Sequence, residues 1–466
     1  MSAATLISPD IIRSRFSAAM SAMYRDEVPA YGTLMELVAE VNAETLAADP
    51  AERARLEAND DLARISEERH GAIRVGTAGE LHTIRRLFAV MGMFPVGYYD
   101  LSEAGVPVHS TAFRPVGDAA LKINPFRVFT SLLRLDLIAD EDLRGQAAAI
   151  LAERRIFTPA CLELIAKAEA EGGLNDADAT RFVAEALETF RWQPRANVTI
   201  DMYHRLHDAH RLIADVVSFR GPHINHLTPR TLDIDAVQAR MPSRGITPKA
   251  VVEGPPTRKC PVLLRQTSFK ALQEPVAFRS GDDWKDGSHT ARFGEIEQRG
   301  VALTPKGRAL YDRLLTATRD KVRPAADGSN AADYMAALSR TFAAFPDDWE
   351  TIRAGELAYF TYSLTEKGLA AEGIGDDIAA AIAAGLIRFD PIVYEDFLPV
   401  SAAGIFQSNL GDGAAQDFVA NPNQRRFEAD LGAEVLNEFD HYAAIEAASL
   451  AACRRAPAGT AAGTTA

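Results

Sequence analysis

Apolar and polar residues follow two different spacings along the chain, and these spacings predict where strands and helices lie. Short runs in which apolar and polar residues alternate, bounded by Gly or Pro, are typical of β-strands. Such runs predict strands at 70–75, 106–113, 126–133, 262–264, 276–279 and 293–298, and a further strand within 386–396. A polar segment at 281–288 that begins with Gly predicts a turn.

Segments rich in Ala, Leu and Glu, with apolar residues three or four positions apart, predict helices. These helices cover 8–24, 31–57 with a break at Asp49-Pro50, 78–91, 198–218, 304–317 and 331–345. Three more helical segments fill 140–192, and each opens with acidic residues or Thr-Pro. The chain is therefore expected to have a helical N-terminal part at 8–60 and a helical insertion at about 140–219 between strands.

One segment, GPHINHLTPRTLDID at 221–235, holds two of the ten histidines, His223 and His226. Its alternation predicts a short buried strand containing Ile224 and His226, which breaks into a turn at 228–230. A histidine that faces inward from a strand has a fixed ring and can hold a metal. We therefore expect the other metal ligands to lie close to this segment in the folded protein.

The composition is that of a globular protein with a large core: 466 residues, 47% hydrophobic and 24% charged. No Pro/Ser-rich linker interrupts residues 61–410, so we expect one catalytic domain over 1–455. The last residues, 456–466, are all Ala, Gly, Pro or Thr and are expected to be a disordered tail.

The formal net charge of −14, without a long basic run, argues against nucleic acid or an anionic membrane surface as a partner. No stretch approaches the roughly 18 apolar residues that span a bilayer. The three cysteines lie far apart in the sequence, at Cys161, Cys260 and Cys453, without disulfide or metal-knuckle spacing. Together with the lack of an apolar signal segment in the first residues, this favours a reducing, cytoplasmic location.

Two further residues join His226 as candidate metal ligands: His70, in a predicted strand, and a glutamate in the strand at 293–298. Two imidazoles and one carboxylate on one face of a metal leave positions open, an arrangement suited to non-haem Fe(II). Because Glu295 and Glu297 are two residues apart and share a strand face, either one is a possible ligand.

Two other histidine groups compete with this set. His204, His207 and His210 follow one another at helical spacing, but the pattern favours a polar helix face over a metal site. His223 is three residues from His226, so the two rings are expected to point to opposite faces of a strand.

Arg74 lies four residues after His70, on the same strand face and about 13 Å along it. A guanidinium there could bind a substrate carboxylate through two parallel hydrogen bonds, but judged on this pattern alone an ordinary surface salt bridge is the favoured explanation. Arg265, Lys270 and Arg292 are weaker candidates for the same role. Ser401, in a Pro-Val-Ser-Ala-Ala-Gly loop, offers a hydroxyl or a backbone amide.

Several catalytic signatures do not occur in the sequence: the phosphate-binding G-x-x-x-x-G-K-[ST] loop, H-E-x-x-H, G-x-S-x-G and a dinucleotide-binding glycine pattern after a strand. Their absence argues against nucleotide hydrolysis, serine hydrolysis and hydride transfer.

Four segments carry a resemblance to a known family: RHGAIRVGT, FRGPHINHLTPRTLDID, FGEIEQRGVALTPKGRALYD and LPVSAAGIFQSNL. Spread over residues 69–410, they resemble the 2-oxoadipate dioxygenase/decarboxylases, the hydroxyglutarate synthases of lysine catabolism. A fainter similarity links them to 4-hydroxyphenylpyruvate dioxygenases. The resemblance implies an α+β fold in which a curled, vicinal-oxygen-chelate-like β-sheet surrounds a metal, with large helical insertions.

The resemblance also implies a site. It places His70 and His226 as the two histidine ligands of Fe(II) and selects Glu295 over Glu297 as the carboxylate ligand. O2 is the implied co-substrate and a 2-oxo dicarboxylic acid the implied substrate, bound by Arg74 and by a loop at Val400 and Ser401. The implied reaction converts 2-oxoadipate to 2-hydroxyglutarate and CO2 by oxidative decarboxylation and hydroxylation.

Two other functions fit the same residues. One is a metal-dependent lyase or isomerase that does not use O2. The other is a non-catalytic protein that binds a dicarboxylate, although a structural metal site would usually have four protein ligands. The sequence leaves open the length of the substrate, because one methylene changes binding by only about 1–3 kcal/mol.

Overall fold

The computed structural model describes residues 5–59, 61–325, 328–371, 373–398 and 422–455. Val400, Ser401 and the predicted tail at 456–466 lie outside these residues. The chain forms two compact units. The first unit comprises 1–253, 266–298 and 397–436, and the second comprises 254–265, 299–396 and 437–466.

The α-helices, numbered in chain order, are α1 Pro9–Glu27, α2 Pro29–Ala48, α3 Pro50–Ala58, α4 Leu62–Glu67, α5 Ala78–Val90, α6 Asp118–Ile123, α7 Glu141–Glu153, α8 Pro159–Glu171, α9 Asp176–Leu187, α10 Ile200–Ala209, α11 Arg211–Ser218, α12 Ile234–Arg240, α13 Pro305–Arg319, α14 Ala331–Phe342, α15 Trp349–Ala354, α16 Glu366–Leu369, α17 Ile378–Ala383, α18 Pro422–Leu431 and α19 Glu438–Arg455. Within the described segments, none of these helices combines the length and the apolar character required to cross a bilayer.

The strands are β1 Arg69–Val75, β2 Phe94–Asp100, β3 Val108–Arg114, β4 Arg127–Leu133, β5 Arg195–Thr199, β6 Leu227–Pro229, β7 Leu264–Ser268, β8 Gln273–Ser280, β9 Asp283–Thr290, β10 Glu295–Arg299, β11 Phe360–Leu364 and β12 Ile387–Pro391. The predicted α+β class, with large helical segments between strands, is confirmed.

The main sheet of the first unit has the strand order β2-β3-β4-β1-β6. β1 is parallel to β4 and antiparallel to β6, and its residue His70 lies in register between Arg127 and Thr228. Every residue of β3 and β4 is buried, because both faces of the sheet are covered. Ile73 and Val75 of β1 belong to the apolar cluster shared with α1, α2 and α5, so the alternate residues of β1 face the other side.

Smaller sheets complete the strand arrangement. β8 is antiparallel to β9 and parallel to β5, and β10 pairs with β7. In the second unit β11 and β12 form an antiparallel pair. Ile374, Ala381, Ile387 and Cys453 form a small apolar cluster in that unit.

Three local predictions were wrong. Residues 281–288 were expected to be a turn, but β9 begins at Asp283 and pairs with β8 along its length. The polar residues of β9 reflect the exposure of this strand. The tight turn that joins the two strands contains Gly281, at φ +65°.

The helix expected at 198–218 is two helices. His210 adopts an extended backbone at φ −173°, and its Nδ1 accepts the amide hydrogen of Leu212, which starts α11.

The strand expected at Ile224 and His226 is also absent, since β6 begins only at Leu227. Two backbone amides of this segment bond to carbonyls of different parts of the chain. Ile224 donates to the carbonyl of Phe190 and Asn225 to that of Ala72. The segment is therefore buried and ordered without a regular ladder.

Candidate metal centre and substrate cavity

His70 owes its position to the central place of β1 in the main sheet. Because side chains alternate along a strand, His70, Ala72 and Arg74 share the face opposite Ile73 and Val75. His70, Ala72 and Arg74 all line one cavity of the first unit. The prediction that His70 and Arg74 face the same side of a strand is confirmed.

A glycine brings the second histidine close to the first. A β-carbon at Gly71 would lie 2.5 Å from Cδ1 of Ile224 and 3.1 Å from the carbonyl oxygen of His226. Only a residue without a side chain leaves room for this segment to pass beside β1. Gly71 therefore allows the ring of His226 to lie 5.3 Å, between centroids, from that of His70.

The structure brings His70, His226 and Glu295 together. One potential ligand atom from each lies within 4.8 Å of the other two, and their residues are only 1%, 5% and 5% exposed. Nε2 of His70 is 3.1 Å from Oε1 of Glu295. The donors come from a strand, an irregular segment and a second strand. Because their positions are far apart in the sequence, the spacing alone could not show that they meet.

The surroundings of the two histidines shift their pKa values in opposite directions, and only the shift of His226 favours the neutral ring that a metal ligand needs. Burial raises the cost of charging His226, and His70 and Arg74 add to this, so the pKa of His226 is well below the usual value and its ring is neutral. Within the described part of the chain, its buried Nδ1 has no hydrogen-bond partner. Burial also lowers the pKa of His70, but the carboxylates of Glu297 and Glu295 outweigh this and raise it.

Glu295 and Glu297 have different surroundings, which separates their roles. Glu295 lines the cavity, and its Oε1 accepts a hydrogen bond of 2.7 Å from Nε2 of Gln266. Oε2 of Glu297 instead lies 3.0 Å from Nδ1 of His70, on the other side of the ring. A carboxylate on the far nitrogen of a histidine is the arrangement that orients metal-binding imidazoles in proteins. The donor set therefore fits a metal held by His70, His226 and Glu295.

Behind Glu297 lies a buried ionic network that the sequence interpretation missed. Arg127 of β4 donates to Oε1 of Glu297 at 3.3 Å and to Oε1 of Glu68 at 2.7 Å. Arg230 donates to the other oxygen of Glu68 at 2.9 Å. All three residues of the Glu68-Arg127-Glu297 bridge are fully buried. The sequence did contain a signal for this network, because Arg127 stands in the apolar run that forms β4.

The cavity is lined by both polar and apolar side chains. The candidate ligands line it together with three other polar side chains, those of Arg74, Ser131 and Gln266. The other lining residues have no polar side chain: Ala72, Ile73, Leu101, Val106, Val108, Phe129, Leu212 and Phe397. A mainly apolar lining with a few polar groups that orient the ligand is typical of sites for small molecules.

A second group of potential ligands lies beside Arg74, formed by Asp215, His223 and His289. Nε2 of His289 and Nε2 of His223 are 2.9 and 3.2 Å from Oδ1 of Asp215. The other oxygen of Asp215 accepts a hydrogen bond of 2.8 Å from Arg74. A divalent cation about 4 Å from a guanidinium would be repelled by about 8 kcal/mol at an effective dielectric constant of about 20. The charges therefore favour an arginine-carboxylate pair here over a metal.

The other candidates from the sequence are placed elsewhere. His204 and His207 are exposed on α10, as expected of a polar helix face, whereas His210 lies outside that helix and caps α11. Arg292 pairs with Glu27 and Glu274. His223, as expected, does not join His226 in one cluster.

Metal binding at His70, His226 and Glu295 is expected to weaken as the pH falls. A metal can bind His70 only after its proton leaves, and the neighbouring carboxylates hold that proton more tightly than in a free imidazole. Calorimetric titration with a divalent metal in buffers of different ionisation enthalpy measures the released proton. Glu297→Gln removes one of the carboxylates that raise the pKa, so its loss of affinity should begin at a lower pH. An affinity that does not change with pH would contradict this assignment.

Taken together, the fold and the site define a class: an α+β protein that brings two histidines and one carboxylate close enough to hold a metal, in a cavity that also contains an arginine. The sequence profile of the family described as 2-oxoadipate dioxygenase/decarboxylase matches residues 16–409. The chain belongs to this family, as the resemblance predicted, and is an enzyme of it.

Individual relatives cover nearly the whole chain. A 2-oxoadipate dioxygenase/decarboxylase from Pseudomonas putida is 62% identical over 459 residues, which is 98% of this chain and 99% of the relative. One from Escherichia coli is 57% identical over 453 residues, covering 97% and 99%. The solved structure of hydroxyglutarate synthase from Pseudomonas putida in complex with 2-oxoadipate has a TM-score of 0.90, at 60% identity and with 97% and 99% covered.

Proposed function

We propose that the chain catalyses the Fe(II)-dependent oxidative decarboxylation and hydroxylation of 2-oxoadipate by O2, giving 2-hydroxyglutarate and CO2. The observation that carries this proposal is the placement of His70, His226 and Glu295 in the same cavity as Arg74. Membership of the family supports it, as does the complex of the Pseudomonas putida relative with 2-oxoadipate.

His70, His226 and Glu295 would hold the iron. Two imidazoles and one carboxylate are the donors typical of non-haem Fe(II) sites that leave positions open for substrate and O2. Iron bound there supplies the activation of O2 and the electron transfer that the reaction needs.

The chain's own residues orient the metal ligands and bind the substrate. Glu297 and Gln266 fix the side chains of His70 and Glu295 through the contacts described above. Arg74 offers a guanidinium for the carboxylate at the far end of the substrate, and the apolar lining between them excludes water. From the family resemblance, we infer that Val400 and Ser401 also contact the substrate.

The decisive test is oxygen uptake by protein loaded anaerobically with Fe(II) and then given 2-oxoadipate. We expect one CO2 released for each O2 consumed, with 2-hydroxyglutarate as product, because the atoms of 2-oxoadipate and O2 equal those of 2-hydroxyglutarate and CO2. A lyase or isomerase would change 2-oxoadipate without consuming O2. A binding protein would leave both unchanged, and either result would replace the proposed function.

The compartment and domain structure are also proposals. The three cysteines are free and buried, which supports a cytoplasmic location. His70, Arg74, His226 and Glu295 all belong to the first compact unit. We propose that residues 1–455 nevertheless act as one catalytic domain, since the family profile extends across both units.

A further inference from the structure

Asp215 is an acid in an otherwise apolar stretch of α11, between Leu212 and Val217. It is 8% exposed, and α11 presents Leu212, one turn earlier, to the substrate cavity. A buried carboxylate is costly unless charged or hydrogen-bonding partners surround it. Its partners therefore indicate why it is there.

Arg74, His289 and His223, from three separate segments of the first unit, lie within 3.2 Å of this carboxylate. Arg74 from β1 donates to Oδ2 at 2.8 Å. His289 from β9 lies with Nε2 2.9 Å from Oδ1, and Nδ1 of the same ring lies 2.8 Å from the hydroxyl of Tyr203 on α10. Burial works to raise the pKa of Asp215, but His223, His289 and Arg74 outweigh it and hold the pKa well below the usual value. Asp215 is therefore a charged acceptor.

The direction of the hydrogen bonds follows from that charge. A carboxylate only accepts, so Nε2 of His289 carries the hydrogen and donates it to Asp215. The other nitrogen of this ring, Nδ1, then accepts the hydroxyl hydrogen of Tyr203. Burial and the charge of Asp215 raise the pKa of Tyr203 to about 12, so the hydroxyl keeps its hydrogen for this bond.

Aromatic contacts hold His289 in this orientation. The ring of Phe219 is 4.8 Å away and that of Trp192 is nearly parallel to it at 6.4 Å, measured between centroids. The order Tyr203, His289, Asp215, Arg74 thus runs from a packed interior to the wall of the cavity. Each member is fixed by the next.

We propose that Asp215, supported by His289 and Tyr203, is the positioning residue that presents Arg74 to the remote carboxylate of the substrate. It thereby sets the preference for 2-oxo dicarboxylic acids over 2-oxo monocarboxylic acids. This inference rests on the proposed function, in which Arg74 binds that carboxylate. Arg211 is a second positive charge close enough to be affected by Arg74, since burial and then Arg74 lower its pKa. Without Asp215, repulsion from Arg211 would move the guanidinium away from its position.

The test compares 2-oxoadipate with 2-oxohexanoate, which has the same six-carbon chain but ends in a methyl group. Asp215→Asn keeps the shape of the side chain and removes its charge. We expect the ratio of kcat/KM for the two acids to fall at least about tenfold, through a higher KM for 2-oxoadipate and with kcat within about threefold. Tyr203→Phe removes only the last hydroxyl and should lower the ratio by about threefold. His204→Ala, at an exposed site on the same helix α10, should leave it unchanged.

If Asp215 or Tyr203 had only a structural role, its replacement would lower kcat/KM for both acids by the same factor and leave the ratio constant. That result in either variant would overturn the inference. Affinities for the two acids, measured anaerobically by calorimetry on metal-loaded protein, separate this outcome from failure of the proposed chemistry. If the wild type consumes no O2 but binds 2-oxoadipate more tightly than 2-oxohexanoate, and Asp215→Asn abolishes the difference, the inference stands without the oxidation. If the wild type binds both acids equally, the inference is wrong.

Discussion

Replacing His226 with alanine is expected to remove the bound metal and to lower kcat/KM for 2-oxoadipate by about 1000-fold or more. A metal that polarises substrate contributes several kcal/mol to stabilisation of the transition state, and about 4 kcal/mol corresponds to that factor. His226 is neutral and buried, and the described part of the chain provides no partner for its Nδ1. A neutral ring nitrogen without a hydrogen-bond partner fits the proposed donation to a metal better than a role in stabilising the fold. Metal content by elemental analysis and oxygen uptake measure the two effects together.

His109 provides the matched control. It is as buried as His70, at 1% exposure, but it contacts the ring of Phe427 at 4.7 Å and is not among the cavity residues. His109→Ala should retain one metal per chain, even if the protein becomes less stable. If His226→Ala keeps its metal and its oxygen uptake, or if His109→Ala loses both, the assignment of the metal centre is wrong.

The part of the site that the sequence predicted well is the part that depends on short-range periodicity. His70 and Arg74 are four residues apart in an alternating run, and a period of two places them on one strand face whatever the rest of the fold does. The choice between Glu295 and Glu297 was different. Both follow the same period, so the residues alone left it open, and the family resemblance chose Glu295. In the structure, the choice reflects which nitrogen of His70 each carboxylate approaches.

Predictions failed where tertiary contacts decided the backbone. The segment at Ile224 and His226 alternates like a strand, yet its amides bond to carbonyls of Phe190 and Ala72 outside any ladder. Helical spacing continues through His210, but its own side chain starts a new helix there. That break orients α11 independently of α10. A periodic pattern contains no information about these long-range partners.

Asp215 and Arg127 show that the sequence also could not identify the partners of buried charged residues. Each is a charged residue in an apolar run, which signals a buried partner without identifying it. The partners of Arg127 are 59 residues before it and 170 residues after it. Those of Asp215 are 141 residues before it, at Arg74, and 74 after it, at His289. Such pairs become visible only when the strands and helices are assembled.

Replacing Arg127 with methionine is expected to lower the free energy of unfolding by about 3–5 kcal/mol, because it removes the guanidinium that bridges two fully buried carboxylates, Glu68 and Glu297. Methionine fills a similar length without a charge, so the loss measures the ionic bridge more than a cavity. Urea unfolding measures the change. In Arg53→Met, which breaks a half-exposed pair with Glu57, the change should stay within about 0.5 kcal/mol. A loss for Arg127→Met as small as that of Arg53→Met would show that the bridge is dispensable. Since Glu297 also contacts His70, the same variant should weaken metal binding, which links the buried network to the site it supports.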